Sequence, residues 1–310
     1  MRREGPPRGP LFMVGCARTG STLLRHVLNR SPLVSIASET HFMQWARRHR
    51  LGDRLWSVRR ATDQRAAVER LAPAFFAPDF WIWLRRNVTP DELVNRLADT
   101  DLTERAVFAT LFELYGERRG HLAPGEGVLG EKTPAHLRDV PRLSAWFPNA
   151  RFIHTFRDPR GIYASELRAL RRGRWGPKAR VPWLPSRLID PLLAPVEAVS
   201  TLLSWHDASR LHRTYERLLG ERYRLVRFED LVTSPEREVR TICEFIGIDF
   251  EPSLLEGVDV VGSSFADERH AAAGIDPGAA ERWRQEIHPV ARSWFALALG
   301  RRLGRFGYRP

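Results

Sequence analysis

Residues 11–28, LFMVGCARTGSTLLRHVL, constrain the fold of this chain more than any other stretch. The first four are apolar and unbroken, which is typical of a buried strand in a parallel sheet. Gly15 and Gly20 bound a tight loop, and apolar residues at helical spacing follow from Ser21. Backbone N–H groups and the helix dipole converge at such a corner, so the pattern predicts a cradle for an anion.

The loop differs from that of a nucleoside triphosphatase at the position that matters for chemistry. The pattern G-x-x-x-x-G-K-[ST] places a lysine where this chain has Ser21, followed by Thr22, and the basic residue is Arg18 inside the loop. A guanidinium, two hydroxyls and backbone amides can hold a 5′-phosphate-type anion, but the lysine for β- and γ-phosphates is missing. An ordinary strand–turn–helix corner without a ligand is the alternative.

Residues 18–23, RTGSTL, resemble the 5′-phosphosulfate loop of the sulfotransferases that use 3′-phosphoadenosine-5′-phosphosulfate, R-[ST]-G-[ST]-[ST]-L. Within that family the chain resembles the bacterial type, which is similar to the tyrosylprotein and carbohydrate sulfotransferases. The resemblance implies that the donor nucleotide is held by five loop residues: Arg18, Thr19, Gly20, Ser21 and Thr22.

A second phosphate motif lies in residues 150–167, ARFIHTFRDPRGIYASEL. The pattern predicts a strand over 151–156, a turn and then a helix from Ile162. Arg157 and Ser165 match the arginine and the serine, eight residues apart, of the family's 3′-phosphate motif. The resemblance implies that they bind the 3′-phosphate. Taken alone, the Arg-Asp-Pro turn could instead hold a structural ion pair.

Three further residues are candidates for the chemistry. Glu39 and His41 follow a predicted strand at 33–37, where open α/β sheets place reactive groups, although Glu39 also suits the first turn of a helix. Lys132 follows a predicted strand at 128–131 and is one of only two lysines, the other being Lys178. The resemblance implies a catalytic base at Glu39, with His41 as competitor, and a lysine on the bridging oxygen of the donor at Lys132.

The rest of the chain carries weaker signals. Residues 42–120 have a helical pattern with aromatic clusters, which are core or acceptor-pocket residues. Residues 173–195, rich in Arg, Pro and Trp, predict a mobile loop over the site that contacts the acceptor or a membrane. In the tail, 260–310, the resemblance implies a segment covering the nucleotide, with Arg282 as a phosphate contact. Phe228 stands where the family often has a tyrosine.

Composition bounds the partners and the compartment. The formal charge of +12 favours an acidic ligand or surface, but 47 of the 49 basic residues are arginines, which fits a solvated face equally well. Two cysteines are too few for a disulfide framework or zinc cluster, so a reducing, cytoplasmic compartment is the default. No run of residues approaches the ~20 apolar residues of a membrane span.

We therefore expect one domain over 1–310, with a P-loop-NTPase-like, mostly parallel sheet of about five strands and helices on both faces. The resemblance implies sulfuryl transfer from 3′-phosphoadenosine-5′-phosphosulfate, without a metal, to a hydroxyl or amine of a small molecule, lipid, glycan or peptide. Peripheral membrane contact is compatible with this reading and nucleic acid is disfavoured. A P-loop kinase and a non-catalytic nucleotide- or nucleic-acid-binding relative are the alternatives. The acceptor and the oligomeric state are not predicted.

Overall fold

The computed structural model describes residues 9–120, 122, 127–171, 186–261 and 269–309. Its strands are β1 Leu11–Gly15, β2 Val34–Ala37, β3 Val128–Lys132, β4 Arg151–Phe156, β5 Tyr223–Arg227, β6 Asp259–Val261 and β7 Arg269–Ala273. The first five form one parallel sheet in the order β2-β3-β1-β4-β5, and β6 pairs with β7 antiparallel. The expected α/β class and strand number are therefore confirmed.

Helices surround the sheet, as a parallel sheet requires if both its faces are to be buried. The first seven are α1 Ser21–Leu28, α2 Phe42–Arg48, α3 Leu51–Arg59, α4 Gln64–Leu71, α5 Ile82–Asn87, α6 Pro90–Ala98 and α7 Glu104–Gly120. The next five are α8 Val140–Trp146, α9 Pro159–Arg171, α10 Ser186–Leu219, α11 Phe228–Thr233 and α12 Pro235–Ile246. The last three are α13 Trp283–Glu286, α14 Pro289–Leu299 and α15 Arg301–Arg305. No helix in the described ranges has both the length and the apolar character needed to cross a membrane.

The register of the sheet brings the ends of three strands to one edge. Met13 of β1 lies opposite Lys132 of β3, and Ala37 of β2 lies opposite Glu131. β2 ends at Ala37, and the chain then passes the end of β3 before α2 begins. Because Ala37 lies opposite Glu131, Glu39, which comes two residues after Ala37, is brought close to Lys132, the residue after Glu131.

The described residues fall into two compact units. One unit holds 9–13 and 28–152, and the other holds 14–27 and 153–309. In the first, the core is an aromatic cluster around Phe12, whose ring stacks on Phe108 at 5.9 Å between centroids; Phe42 stacks on Phe108 at 4.7 Å. The aromatic residues Phe75, Phe80 and Trp81 are also buried here, so they serve as core residues.

The second unit has its own aromatic core, built on β4. The ring centroid of Phe156 lies 5.2 Å from that of Trp205 and 4.4 Å from that of Phe306. The indole N–H of Trp205 donates to the carbonyl of Arg157 at 3.0 Å, which fixes the backbone where β4 ends. The core of this unit thus supports the second phosphate motif directly.

Two features differ from the expectation for the second half of the chain. The predicted loop at 173–195 is helical over 186–195, because α10 begins at Ser186; the remainder, 173–185, lies outside the described residues. Pro191 and Pro195 favoured a loop, since proline in a helix interior removes a hydrogen bond. The β6–β7 pair in the tail was not predicted.

Candidate active site

The loop after β1 requires glycine at both of its ends. Gly15 has φ 148°, and a Cβ there would lie 2.4 Å from the carbonyl oxygen of Thr155. Gly20 has φ 82°, and a Cβ there would lie 2.5 Å from the ring of Phe228. A side chain at either position would be strained and would also clash, so the two glycines fix the shape of the loop.

Two side chains of the loop serve the loop itself. The hydroxyl of Thr19 donates to the carbonyl of Cys16 at 2.8 Å and shares a hydrogen bond of 2.7 Å with the hydroxyl of Thr155. Burial and, to a smaller extent, the charge of Asp207 raise the pKa of the Cys16 thiol to about 12, so this cysteine is a neutral filler residue. The hydroxyl of Thr19 is therefore used within the protein.

Arg18 and Ser165 are joined directly, which the sequence did not predict. The Nε of Arg18 donates to the hydroxyl oxygen of Ser165 at 2.9 Å, and Arg18 adopts a left-handed backbone with φ 63°. The sequence motifs had assigned these residues to opposite ends of the donor. In this structure the first motif and the second share one hydrogen bond, so they form a single polar site.

Arg157 is the most unusual residue of this site. It is buried at the end of β4; its Nη1 donates to the carbonyl of Arg18 at 3.1 Å and its Nη2 to that of Ala279 at 3.2 Å. Its Nε has no hydrogen-bond partner among the described residues. Burial lowers the pKa of Arg157 to about 10, which leaves the guanidinium charged at neutral pH. A buried cation that is only partly satisfied is a strong reason to expect an anionic ligand.

The carboxylate next to Arg157 is already paired with another residue. Asp158 forms a buried ion pair with Arg160 at 2.7 Å and accepts a second hydrogen bond from its Nε at 2.9 Å. The alternative of a structural ion pair in the Arg-Asp-Pro turn is therefore correct for Asp158, but its partner is Arg160. Arg157 makes no direct ion pair with a carboxylate among the described residues, although the nearby charge of Glu229 partly offsets the effect of its burial.

Phe228 and the tail complete the surroundings of Arg157. The guanidinium carbon of Arg157 lies 4.0 Å from the ring centroid of Phe228, a cation–π contact that a tyrosine at this position would also allow. The tail reaches Arg157 through the carbonyl of Ala279. Arg282 is instead half-exposed and pairs with Asp276, and in the described ranges it makes no contact with Arg157 or Ser165. Ser263 and Ser264 lie outside the described residues.

In the other compact unit, Glu39 lies between the side chains of Lys132 and His41. Its Oε1 accepts a hydrogen bond from the Nζ of Lys132, which is completely buried. Its Oε2 lies 3.3 Å from the Nε2 of His41, whose side chain is 46% exposed. Glu39 itself keeps 20% of its side chain exposed, so the carboxylate can still meet a ligand from solvent.

The electrostatics of this cluster keep Glu39 ionised. Burial raises the pKa of its carboxyl, but the hydrogen bond from His41 and the charge and hydrogen bond of Lys132 outweigh burial and lower the pKa to about 2. Glu39 is therefore a carboxylate that can accept a proton. Its basicity is low while the ammonium of Lys132 is paired with it. A group that draws the ammonium away would raise the basicity of the carboxylate.

This lowered pKa predicts a pH-dependent contribution to stability. The folded-state pKa lies below the ordinary value of 4.5, so the contribution is complete above that value and is lost as the pH falls toward 2. The full shift corresponds to roughly 3 kcal/mol. We expect the free energy of unfolding of Glu39→Gln, measured in urea, to fall less than that of the wild type between pH 5 and pH 3, by roughly 2 kcal/mol, because the rest of the contribution is lost only below pH 3. Parallel pH profiles for the two proteins would contradict the ion pair.

Beneath Glu39 lies a buried carboxylate that the sequence analysis missed. One oxygen of Glu131 accepts hydrogen bonds from the backbone N–H of Thr40 at 3.1 Å, from its hydroxyl at 2.6 Å, and from the hydroxyl of Thr133. The other lies 3.0 Å from the Nδ1 of His136. Glu131 thus holds Thr40, the residue after Glu39, close to Thr133, the residue after Lys132. We call this hydrogen-bond network the Glu131 clamp. A glutamate inside a fully buried strand is rare, and that rarity was the available signal.

The clamp predicts that Glu131→Gln destabilises the protein. An amide has one acceptor oxygen and no charge, so at least one buried donor loses its partner. We expect the free energy of unfolding to fall by about 1–3 kcal/mol, measured by urea denaturation. Glu236→Gln is the matched control, because its pair with Arg240 is exposed and should be worth less than about 0.5 kcal/mol. Equal effects of the two variants would show that the Glu131 network contributes nothing special.

Comparison with known proteins gives relatives of one kind. The nodulation protein NoeE of Sinorhizobium fredii is 24% identical over 291 residues, covering 89% of this chain and 60% of the relative. The omega-hydroxy-beta-dihydromenaquinone-9 sulfotransferase Stf3 of Mycobacterium tuberculosis is 25% identical over 271 residues, covering 78% of this chain and 64% of the relative. The chain thus spans about three fifths of the length of these curated relatives.

Solved structures agree on the fold. The sulfotransferase domain of the Synechococcus PCC 7002 olefin synthase matches with a TM-score of 0.57 and 22% identity, covering 100% of this chain and 98% of that domain. The sulfotransferase domain from the curacin biosynthetic pathway matches with a TM-score of 0.55 and 18% identity, covering 98% and 99%. The expected P-loop-NTPase-like fold is confirmed. The model of the Sulfotransferase family matches residues 10–252, and the chain belongs to that family.

Proposed function

We propose that this chain transfers a sulfuryl group from 3′-phosphoadenosine-5′-phosphosulfate to a hydroxyl or amine of an acceptor. The observation that carries the proposal is the buried guanidinium of Arg157, whose neighbour Asp158 is already paired and whose Nε has no hydrogen-bond partner among the described residues. A phosphate beside Arg157 and Ser165 would satisfy that cation. This requirement favours a nucleotide with a 3′-phosphate over ATP.

The phosphate loop would bind the other end of the donor. Backbone N–H groups between Gly15 and Thr22, the hydroxyls of Ser21 and Thr22, and the N-terminus of α1 supply donors suited to a 5′-phosphosulfate. The guanidinium of Arg18 would donate hydrogen bonds both to this group and to Ser165, its partner in the present structure. Arg282 stays a candidate phosphate ligand only if its pair with Asp276 opens.

The donor supplies an activated sulfuryl group, and the side chains of the Glu39 cluster would handle the proton and the charge. As the acceptor oxygen or nitrogen bonds to sulfur, its proton would pass to Glu39 and the bond from sulfur to the 5′-phosphate would break. Lys132 and Arg18 would offset the charge on the departing phosphate. Because Lys132 also holds down the pKa of Glu39, any shift of its ammonium toward the leaving oxygen would strengthen the base.

His41 is the second candidate base. It contacts the Oε2 of Glu39 at 3.3 Å and is more exposed than Glu39. In the proposed arrangement it orients the carboxylate, while the acceptor meets Glu39 itself.

Two properties of the acceptor and the compartment belong to the same proposal. The acceptor is a small molecule or lipid with a free hydroxyl or amine, in line with the hydroxylated dihydromenaquinone in the printed name of Stf3. The compartment is the cytoplasm, because Cys16 and Cys243 are both free and buried thiols. No metal is required by the donor set that we assign.

Nucleotide-dependent stabilisation tests this proposal without knowledge of the acceptor. The melting temperature would be measured with adenosine 3′,5′-bisphosphate, 5′-AMP, or ATP with Mg²⁺, each at the same concentration. We expect the bisphosphate to raise it most. A larger shift with ATP and Mg²⁺ would favour the kinase alternative, and no shift with any nucleotide would overturn nucleotide binding altogether.

A further inference from the structure

A second anionic site is suggested by a cleft away from the residues assigned to the donor. The cleft has a volume of about 360 Å³ and lies among α10, the strand β5 and the C-terminal helix α15. Its polar lining includes four arginines and a histidine, and Phe306 contributes an apolar ring: Arg213, Arg227, Arg302, Arg305, His212 and Phe306. The volume falls within the range of small-ligand sites.

Three of the four arginines of this cleft lack a paired carboxylate among the described residues, and the fourth, Arg227, lies near Asp230. No aspartate or glutamate lines the cleft, and Arg213, Arg302 and Arg305 make no ion pair with any carboxylate of the described residues. Elsewhere on the surface arginines do find partners, as Arg118 does with Glu92 at 2.7 Å. The cleft therefore concentrates uncompensated positive charge.

Arg227 lines the cleft and is held there by its neighbours. It lies 3.4 Å from Asp230 and its guanidinium carbon lies 4.7 Å from the ring centroid of Tyr308. Its Nε is buried and has no hydrogen-bond partner in the part of the chain that the structure describes. Gly307 packs so closely that a Cβ there would lie 3.1 Å from the Nη1 of Arg227, so the turn after α15 fixes the position of this arginine.

The ligand chemistry follows from the donors. Several guanidinium groups around one concave site match the geometry and charge of a phosphate dianion, which accepts paired N–H donors. The apolar ring of Phe306 suits the organic group to which the phosphate is attached, since a bare phosphate would leave most of the volume unfilled. His212 is tied to the hydroxyl of Tyr223 at 3.0 Å, so its ring is a fixed wall of the cleft.

We propose that this cleft binds a phosphate monoester, carried either by a soluble metabolite or by the headgroup of an anionic lipid. The site lies outside the residues assigned to the donor, and its existence does not depend on the proposed sulfuryl transfer. Bound phosphate would neutralise the charge of the cleft arginines, including the two on α15.

The test compares the full-length protein with two variants of equal net charge. Arg302→Glu combined with Arg305→Glu reverses two charges inside the cleft, while Arg301→Glu combined with Arg119→Glu reverses two exposed charges outside it. Binding of glycerol 3-phosphate is measured by calorimetry, and binding to phosphatidylcholine vesicles is measured with and without phosphatidate. Saturating adenosine 3′,5′-bisphosphate is present in parallel runs to separate this site from the donor site.

A soluble ligand is supported if the binding of glycerol 3-phosphate weakens at least about tenfold in the cleft variant and less than about twofold in the control variant. Binding only to phosphatidate vesicles, with the same difference between variants, supports a lipid headgroup. Binding to neither probe, equal loss in both variants, or complete competition by the bisphosphate would overturn the proposal. A melting temperature and circular dichroism spectrum close to the wild type confirm that the cleft variant is folded.

Discussion

Glu39→Gln is expected to lower kcat by about 10²–10⁴-fold while leaving nucleotide binding nearly unchanged. The amide keeps the shape of the side chain but cannot take the proton of the acceptor. Transfer of radiolabelled sulfur from the donor to an extract of acceptors measures kcat, and calorimetry with adenosine 3′,5′-bisphosphate measures nucleotide binding. Because Lys132 is completely buried beside Glu39, the melting temperature is measured as well, and rates are compared below it.

Two further variants separate the base from its neighbour. Glu39→Asp keeps the charge but shortens the reach, so it should retain more activity than Glu39→Gln. His41→Ala should cost much less than Glu39→Gln, because His41 contacts one carboxylate oxygen and is half-exposed. An inactive His41→Ala beside an active Glu39→Gln would make His41 the base. Full activity of both would place the chemistry on other residues.

Arg157→Ala is expected to remove most of the preference for adenosine 3′,5′-bisphosphate over 5′-AMP. A charge-assisted hydrogen bond is worth about 1.5–3 kcal/mol, which corresponds to roughly 10- to 150-fold in the dissociation constant. The two nucleotides differ only in the 3′-phosphate, so the ratio of their calorimetric affinities isolates that contact. Equal affinities in the wild type would show that no 3′-phosphate site exists.

Arg282→Ala is the matched control for Arg157→Ala. Both remove one arginine from the second compact unit, but Arg282 is half-exposed and paired with Asp276. We expect its effect on the affinity ratio to be less than about threefold, since exposed pairs contribute about 0–1 kcal/mol. An effect as large as that of Arg157→Ala would mean that the tail closes on the nucleotide and that Arg282 leaves Asp276.

Local patterns in the sequence predicted much of the fold, because β1 is a short apolar run before a glycine-bounded loop and β2 to β5 are short segments in which apolar residues alternate or mix with polar ones between turn residues. The glycine-bounded loop and the Arg157–Ser165 spacing also follow from local patterns, since strand, turn and helix are set by neighbouring residues. The start of α10 did not follow in this way. Its first turns contain two prolines, which disfavour a helix locally, whereas the residues that follow them favour one.

The contacts within the site were harder to predict than its members. Glu39 and Lys132 were each candidates, but their ion pair depends on the register that places Ala37 opposite Glu131. The Glu131 clamp depends on the same register and on burial, which one sequence does not report. Asp158 pairs with Arg160 and not with its neighbour Arg157, and only packing decides between these two nearby arginines.

The most direct test of the account is transfer of radiolabelled sulfur from 3′-phosphoadenosine-5′-phosphosulfate to acceptors in an extract of metabolites and lipids. The assay follows the label into product and the release of adenosine 3′,5′-bisphosphate in equal amounts. With the wild type we expect labelled product and release of the bisphosphate. With Glu39→Gln, measured at the same times, we expect neither product nor release above background. With ATP and Mg²⁺ we expect no transfer of labelled γ-phosphate. Transfer of phosphate without transfer of sulfur, or nucleotide binding without either, would contradict the account.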